Sequence, residues 1–487
     1  MLISKACLDK LFVCPKQSLA VYRPRRPEKT PLFQVIKKNF LPWRKKRNDL
    51  GNPIPHYIEN VFQKYLGCGI LAKGFACAHC ASCHKDLIIP FSCKARGLCP
   101  SCNQRSMVET AAHLIDSVLP RVPFRQFVIS FPLRIRHYLA THKLLQTVLK
   151  IVVDEIRKTL IACSPPTSTP QIGAISFIQH FGNTLNYHPH FHLVVADGIF
   201  SGEEGLEFHE TCLTQDDITD TQESIQKRVL KYFCKRGFFD KDEMNKMLFY
   251  EKTGFSLDAK VKTEAWDKDG LERLIRYCAR PPFKSENIRV HNSLVNYRFP
   301  KPSHDGRLFM TIDPLDFLER ISQFIPYPRR HRRHYHGVLA PNSPLRKQVA
   351  AHAQKRLENK AKAMQDEVEK TKKVSQNWAK LIARIYEVDP LVCSACGKKI
   401  KIVAFATHAA QIRRILSGIG LPTVAPEFDQ PYELTTMNIC QLVPETYDGF
   451  PEIEEQEQYD SGPDPPCPQE IDPPHCEYEC DPPHWEE

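Results

Sequence analysis

Residues 186–198, NYHPHFHLVVADG, decide how the middle of the chain folds. The histidines at 188, 190 and 192 alternate with other residues, so on a β-strand all three point to one face. Residues between them, such as Phe191, then point to the opposite face and into a core. Imidazoles side by side on one face suit a divalent metal ion or a phosphate. A pH-dependent surface or a structural zinc site is the alternative.

A divalent ion held by two imidazoles and one further ligand keeps open positions, and it can act as a Lewis acid on a phosphodiester. The preceding run IGAISFIQHF (172–181) also reads as a strand and contains Gln179 and His180. If the two strands pair, one of these two residues could be the third ligand. The candidate ligands of a catalytic ion are therefore His190, His192, Gln179 and His188.

A candidate nucleophile follows in DGLERLIRYCARPP (269–282), which has the apolar spacing of a short helix stopped by two prolines. Tyr277 lies beside the apolar face, between Arg276 and Arg280. A tyrosine that attacks a phosphodiester keeps the bond energy in a phosphotyrosine link, and arginines can hold the phosphate. Packing is the common role of a helical tyrosine, and Tyr335 in RRHRRHYHGVLAP is a rival with basic neighbours.

The remaining patterns mix strands and helices without strict alternation. Strands are predicted at 124–133, 172–181, 190–200 and 254–266, and helices near 32–40, 105–118, 138–161, 220–236, 271–280 and 346–386. This order favours an α+β fold with an antiparallel sheet flanked by helices over a doubly wound fold.

The densest cysteines lie in CAHCASC and SCKARGLCPSC. Cys80 with Cys83, and Cys99 with Cys102, form two CxxC pairs, which predict one closed, structural four-thiolate zinc site in a small zinc-ribbon-like module. Cys77 and Cys93 are alternative ligands, and a set of buried thiols is the competing interpretation. The basic residues Lys94, Arg96 and Arg105 nearby suit DNA docking. The later pair Cys393 and Cys396 is either half of a second zinc site or a simple turn.

Charge is divided unevenly along the 487 residues. No Lys or Arg follows Arg414, and residues 415–487 contain eighteen of the 56 acidic residues, so the rest of the chain carries a formal charge of +29. A basic body suits a polyanion such as DNA, although a solubilising surface would have the same charge. The apolar pattern predicts neither a membrane span nor a signal peptide.

Five regions are predicted from these shifts in composition: a basic arm (1–55), a zinc-binding DNA-recognition domain (56–105), a catalytic domain (106–340), a helical region with the CxxC pair (341–444) and a disordered, acidic, proline-rich tail (445–487).

Several long motifs, in order from about residue 22 to residue 422, resemble one family. They include CGILAKGFACAHC, FSCKARGLCPSC, FIQHFGNTLNYHPHFHLVVADGIF, GLERLIRYCARPPF and HYHGVLAPNSPLR. The chain resembles the HUH transposases of rolling-circle insertion sequences, the insertion-sequence-common-region and insertion-sequence-ninety-one group. The resemblance assigns the HUH pair to His190 and His192 around Phe191, and the tyrosine to Tyr277.

The resemblance implies an enzyme, a single-strand DNA endonuclease and strand transferase with an antiparallel HUH core. It further implies Mg or Mn as the catalytic ion, Zn as the structural ion and single-stranded transposon ends as the substrate. Some relatives have two tyrosines four residues apart; here the earlier position is Arg273, which predicts a single-tyrosine enzyme. We expect a prokaryotic, cytoplasmic, nucleoid-associated protein that could form homo-oligomers.

Three other functions remain open at this point. A replication initiator or relaxase would use the same chemistry on a different DNA site. A zinc-dependent DNA-binding protein, either a regulator or an inactive transposase, would bind without cleaving. A metal-dependent hydrolase that uses water would cleave without forming a protein adduct.

Overall fold

The computed structural model describes residues 26–140, 142–201, 207–249, 254–349 and 400–429, and single positions at 351, 393, 396 and 398. The ten α-helices with defined bounds in these ranges are α1 (Pro31–Asp49), α2 (His56–Leu66), α3 (Pro100–Ser117), α4 (Leu133–Leu139), α5 (His142–Ala162), α6 (Gln215–Lys235), α7 (Lys241–Phe249), α8 (Lys268–Cys278), α9 (Pro314–Ser322) and α10 (Ala409–Gly418).

The strands of the described ranges are short except in the middle of the chain. They are β1 (Phe75–His79), β2 (Asp86–Pro90), β3 (Phe124–Ser130), β4 (Gly173–Phe181), β5 (Tyr187–Ala196), β6 (Gly198–Ser201), β7 (Glu207–Glu210), β8 (Ser256–Asp258), β9 (Lys262–Thr263), β10 (Ile288–His291), β11 (Leu294–Arg298), β12 (Phe309–Ile312), β13 (Arg333–Gly337) and β14 (Lys401–Ala406).

The central sheet has the strand order β13–β4–β5–β3–β8, and β9 pairs with β3. Each of these pairs is antiparallel, so the predicted α+β class with an antiparallel sheet is confirmed. The long strands β4 and β5 occupy its middle, and their ladder is irregular between Gln179 and Phe181. Pro189, which has no N–H to donate, lies opposite this irregularity.

Helices cover both faces of the central sheet. Phe191 and Leu193 of β5 pack with α4, α5 and α6 on one face. Val194 and Ala196, one residue out of phase, pack with α3 and α8 on the other face. The histidines at even positions of β5 therefore share the face that carries the tyrosine helix α8.

The N-terminal region is packed and does not form the basic arm predicted over 1–55, of which residues 26–55 are described. Helix α1 begins at Pro31, capped by the Thr30 side chain, and buries Leu32, Phe33, Val35, Ile36, Phe40 and Trp43. Its basic residues lie on the outer face, where Arg47 pairs with Glu319 of α9 at 2.9 Å. The helix predicted near residues 32–40 is thus present and longer, and its apolar stripe packs it against the fold instead of leaving residues 31–49 as a free arm.

A second departure concerns the C-terminal region, which was predicted as a separate unit. Strand β14 pairs antiparallel with β1, giving a sheet of order β14–β1–β2. Helix α10 packs on the same unit, with Ile412 and Leu416 against Phe75. Residues 400–418 thus complete the cysteine-rich module, although more than 300 residues separate the two parts in sequence.

Two further predictions fall largely or wholly outside the described residues: most of the helix over 346–386, including WAKLIARIYEV, and the acidic tail over 445–487. Within the described part of the chain, none of the helices is both long enough and apolar enough to cross a membrane.

Candidate active site and cysteine clusters

Three buried histidines on β5 form one wall of the candidate active site. His188, His190 and His192 are each at most 3% exposed. The ring centroids of His188 and His190 are 5.2 Å apart, and those of His190 and His192 are 5.0 Å apart. The alternating pattern therefore does place the imidazoles in a row along one strand.

A backbone contact fixes the tautomer of His190. Its Nδ1 lies 2.8 Å from the carbonyl oxygen of His188, which can only accept, so Nδ1 carries the proton and donates it. The lone pair is then on Nε2, as metal-binding imidazoles require. His188 thus contributes to the site through its carbonyl. Among the described His, Cys, Asp and Glu side chains, three or more ligand atoms converge only in two cysteine clusters, so the three imidazoles do not surround a single point.

Gln126 of β3 is a site residue that was missed at the sequence level. Its amide lies 2.8 Å from Nδ1 of His192 and donates to the Cys278 sulfur of α8 at 3.3 Å. The same amide nitrogen faces both partners. In the alternative amide orientation the oxygen would accept from Nδ1–H, which places the lone pair of His192 on Nε2, and the Cys278 thiol would become the donor of the second contact. A polar residue inside the apolar run FRQFVISF was the available signal.

Tyr277 stands next to the histidine row. Its ring centroid is 5.5 Å from that of His192, with the planes at 88°. Helix α8 ends at Cys278, as the following prolines predicted, and Asp267 caps its first turn by accepting from the Gly270 N–H. Leu274 and Ile275 anchor the helix on the sheet.

Gln179 lies directly opposite His190 in the β4–β5 ladder. Its amide nitrogen donates to the carbonyl of Cys278 at 2.9 Å and to that of Tyr277 at 3.3 Å. The predicted third ligand is therefore beside the histidines, and it also holds the end of the tyrosine helix. His180, the alternative, stacks on Tyr187 with centroids 5.8 Å apart.

The two arginines beside Tyr277 differ in their contacts. The Arg280 guanidinium lies 4.9 Å from the Tyr277 ring centroid, and its Nε donates to the Gln179 oxygen at 3.5 Å. Arg276 instead forms an ion pair with Glu272 of its own helix at 2.8 Å. Arg273, at the position of a second tyrosine in some relatives, is exposed.

Tyr335, the rival nucleophile, lies on the outer strand β13. It is opposite Ile175 of β4 and packs into the apolar cluster under α3 and α8, with the Arg346 guanidinium 5.6 Å from its ring centroid. Tyr277 is the tyrosine that contacts a ring of the histidine row.

The cysteines gather into two groups of four, and this corrects the predicted zinc site. Cys68, Cys93, Cys99 and Cys102 form one group, and Cys80, Cys83, Cys393 and Cys396 form the other. The predicted set of Cys80, Cys83, Cys99 and Cys102 is therefore split between the two. Spacing rules pair neighbouring CxxC motifs, but each pair here meets cysteines outside the predicted four. One pair meets Cys93, which was an alternative ligand, and Cys68, which was not predicted; the other meets Cys393 and Cys396, for which a second zinc site was left open.

The first group has the geometry of a four-thiolate metal shell. The Cys68 sulfur lies 3.6 Å from that of Cys99 and 3.7 Å from that of Cys102, and Cys93 and Cys102 are 3.6 Å apart. Sulfur atoms at about 2.3 Å from a tetrahedral zinc are roughly 3.8 Å from one another. The Ala95 N–H also donates to the Cys93 sulfur at 3.3 Å.

The basic residues of this module have different surroundings. Lys94 and Arg96 are exposed, and the Arg96 guanidinium donates to the carbonyl of Arg330 at 2.7 Å. Arg105 forms an ion pair with Glu109 along α3 at 2.7 Å.

Two parts of the chain match known protein families. Residues 36–131 match the family described as "Transposase zinc-binding domain", and residues 173–347 match the family described as "Putative transposase". The second match includes the histidine strand and α8; the first includes six of the clustered cysteines.

One curated relative is the transposase for insertion sequence element IS801 from Pseudomonas savastanoi pv. phaseolicola. It is 22% identical over 296 residues, which cover 58% of this chain and 70% of the relative. None of the solved structures matches.

The fold, the cysteine module and these matches define the class: the chain is a transposase, an enzyme that acts on DNA, with a structural zinc-binding domain. The two matched families and the curated relative together support an IS91-type transposase.

Proposed function

We propose that this transposase cuts and rejoins single-stranded DNA at the ends of its element, in rolling-circle transposition, through a covalent 5′-phosphotyrosine link to Tyr277. The observation that supports this proposal most is the Tyr277 ring 5.5 Å from the ring of His192. The amides of Gln126 and Gln179 join the histidine sheet to the same end of the tyrosine helix. Nucleophile and ion site are thus held on adjoining rigid elements.

In the proposed step, the phenolic oxygen of Tyr277 attacks the scissile phosphorus. A phosphorus–oxygen bond to tyrosine forms as the phenol loses its proton, the bond to the 3′ oxygen breaks, and the released 3′ oxygen takes up a proton to become a hydroxyl. The reverse attack by a 3′ hydroxyl restores the phosphodiester and frees Tyr277, so no ATP is needed. With Arg273 at the earlier position, the second strand transfer would require Tyr277 again, another subunit or water.

The residues present fit a Mg or Mn ion. His190 has the tautomer of a metal ligand, and His192 beside it would supply the second nitrogen. Gln179, opposite His190, would supply an amide oxygen, and His188 orients His190 through its carbonyl. When bound, such an ion would polarise the scissile phosphate as a Lewis acid.

Arg280 is the better candidate for holding the phosphate. Its guanidinium already lies over the Tyr277 ring, and a guanidinium can donate two parallel hydrogen bonds to a phosphate. Arg276 pairs with Glu272, so we assign it to stabilising α8. The exposed residues Lys94 and Arg96, together with Arg105, would contact the DNA backbone while the zinc module reads the element end.

A gel assay tests this function. Labelled single-stranded DNA from the element ends is mixed with Mn and with wild type, Tyr277→Phe or Tyr335→Phe protein, then resolved under denaturing conditions. We expect a labelled band at protein size with wild type and Tyr335→Phe, and a loss of at least about 1000-fold with Tyr277→Phe, because phenylalanine cannot form the ester.

Other outcomes identify other functions. Loss of the labelled band only in Tyr335→Phe would identify Tyr335 of β13 as the nucleophile. Cleavage without a protein adduct would indicate a hydrolase that uses water. Tight binding with neither cleavage nor adduct would indicate a zinc-dependent DNA-binding protein, and an adduct formed only on replication-origin DNA would indicate an initiator.

A further inference from the structure

The second cysteine group brings together residues from opposite ends of the described chain. The Cys80 sulfur lies 3.5 Å from that of Cys396, and the Cys83 sulfur lies 3.4 Å from that of Cys393. All four sulfurs lie within 4.8 Å of one another. These separations are close to the roughly 3.8 Å expected around a tetrahedral zinc.

The two CxxC turns of this group are built alike. Residues 80–85 read CASCHK and residues 393–398 read CSACGK. In each turn the backbone N–H of the first cysteine donates to the lysine carbonyl five residues later, Cys80 to Lys85 at 2.9 Å and Cys393 to Lys398 at 2.7 Å. Two turns of one kind, facing each other, direct four thiolates to a common point.

The surroundings match a structural metal site. Cys80 and Cys393 are buried and pack with Ala78 and Ile400, while Cys83 is half-buried beside them. Four protein ligands leave no open coordination position, which is typical of structural and not of catalytic zinc.

Strand β14 is poorly anchored by apolar contacts. Five of its six residues are exposed, including Val403 and Phe405 at 62% each, and only Ala406 is buried. The clusters that connect it to the module are small. A sheet with so little buried surface needs another source of stability, and a metal ion is a common one in small modules.

We propose that Cys80, Cys83, Cys393 and Cys396 bind a second zinc ion, distinct from the ion of Cys68, Cys93, Cys99 and Cys102, and that this ion fastens the C-terminal segment 393–418 to the N-terminal zinc module. The ion joins residues about 310 positions apart in sequence. The proposal is independent of the chemistry assigned to Tyr277.

Metal content tests the site directly. Native mass spectrometry of the full-length wild-type protein, purified without chelator, should show two zinc ions per chain. The double variant Cys393→Ser/Cys396→Ser should hold one, and Cys77→Ser/Cys212→Ser, which changes cysteines outside both groups, should hold two. One ion in the wild type, or two in the 393/396 variant, would overturn the proposal.

Hydrogen exchange tests the fastening. In the 393/396 variant we expect the amides of residues 401–406 to exchange at least tenfold faster than in the wild type, while those of β5 are unchanged. If this variant fails to fold, the wild-type protein is prepared with Co²⁺ in place of zinc. Its thiolate-to-cobalt charge-transfer absorption should then correspond to two four-thiolate ions per chain. Unchanged exchange in β14 after loss of the ion would contradict the fastening role.

Discussion

At the level of single residues, two glutamines connect the histidine strand to the tyrosine helix. Gln126 bridges His192 and Cys278, and Gln179 donates to both carbonyls at the end of α8. Neither side chain has to contact DNA in order to affect the reaction, because displacing a nucleophile by about 1 Å can slow the reaction about a hundredfold. We infer that Gln126 is a positioning residue for Tyr277, and that Gln179 positions Tyr277 in addition to its proposed place in the ion site.

Replacing Gln179 by alanine should therefore slow adduct formation by roughly 10- to 100-fold. The two carbonyls of α8 lose their donor, so the end of the helix is less well fixed. Single-turnover adduct rates measure the effect, with Gln146→Ala on the exposed side of α5 as the matched control. Equal rates for both variants would show that the contact at α8 does not position the tyrosine.

His336 of β13 gives the fold a dependence on pH. Burial, with a smaller contribution from nearby His334, lowers the pKa of His336 from 6.5 to about 4. The folded state therefore disfavours the protonated ring, and its stability is full above about pH 6.5 and declines as the pH falls toward 4. The neutral ring contacts the Ser176 hydroxyl at 2.9 Å.

We expect the melting temperature to fall between pH 7 and pH 5 by less in His336→Gln than in the wild type. Between pH 7 and pH 5, the free energy of unfolding should fall by about 1–3 kcal/mol more in the wild type than in His336→Gln. Thermal unfolding followed by circular dichroism at the two pH values measures it, and His291→Gln on an exposed strand is the control. An identical pH dependence in wild type and His336→Gln would contradict the assignment.

At the level of elements, the loop of the first cysteine group fits closely against the end of α9. Gly97 has a φ of +82°, and a Cβ there would lie 2.2 Å from the carbonyl oxygen of Phe324. Both the left-handed backbone and the close approach require glycine. The contact places the loop of Cys99 and Cys102 against Phe324 and Ile325, which follow α9.

Gly97→Ala should accordingly destabilise the protein by at least about 2–3 kcal/mol. Gly51→Ala is the matched control. Gly51 also has a positive φ, +67°, but a Cβ there would meet nothing within 4 Å, so this substitution adds only the strain of the left-handed backbone. Urea denaturation measures both. A loss no greater for Gly97→Ala than for Gly51→Ala would show that the loop can move away from α9.

Sequence patterns predicted the strands β3, β4 and β5 and the helices α3, α5, α6 and α8, because local spacing determines them, whereas α7, α9 and β10 to β13 were not predicted. The alternation in β5, the apolar stripe of α8 and its proline stop are short-range signals. The zinc ligands were assigned wrongly, since Cys393 and Cys396 reach Cys80 and Cys83 only through the pairing of β14 with β1. Gln126 was missed because its role depends on which strand lies beside β5.

At the level of the whole molecule, the described chain combines the central sheet, which carries the proposed active site, with a cysteine module built from two segments that are distant in sequence. The strands β1 and β2 come from the N-terminal part and β14 from the C-terminal part. A linear division into five regions therefore does not describe the module. The basic charge of the body suits DNA contact along it, and the proposed covalent step takes place at Tyr277.

The most direct test is to locate the DNA on the protein. The adduct formed with single-stranded element ends and Mn is digested with nuclease and trypsin, and the nucleotide-bearing peptide is sequenced by mass spectrometry. We expect a nucleotide on Tyr277 in the peptide YCARPPFK (277–284). A nucleotide on Tyr335 in HYHGVLAPNSPLR (334–346), or no modified peptide from DNA that has been cleaved, would contradict it.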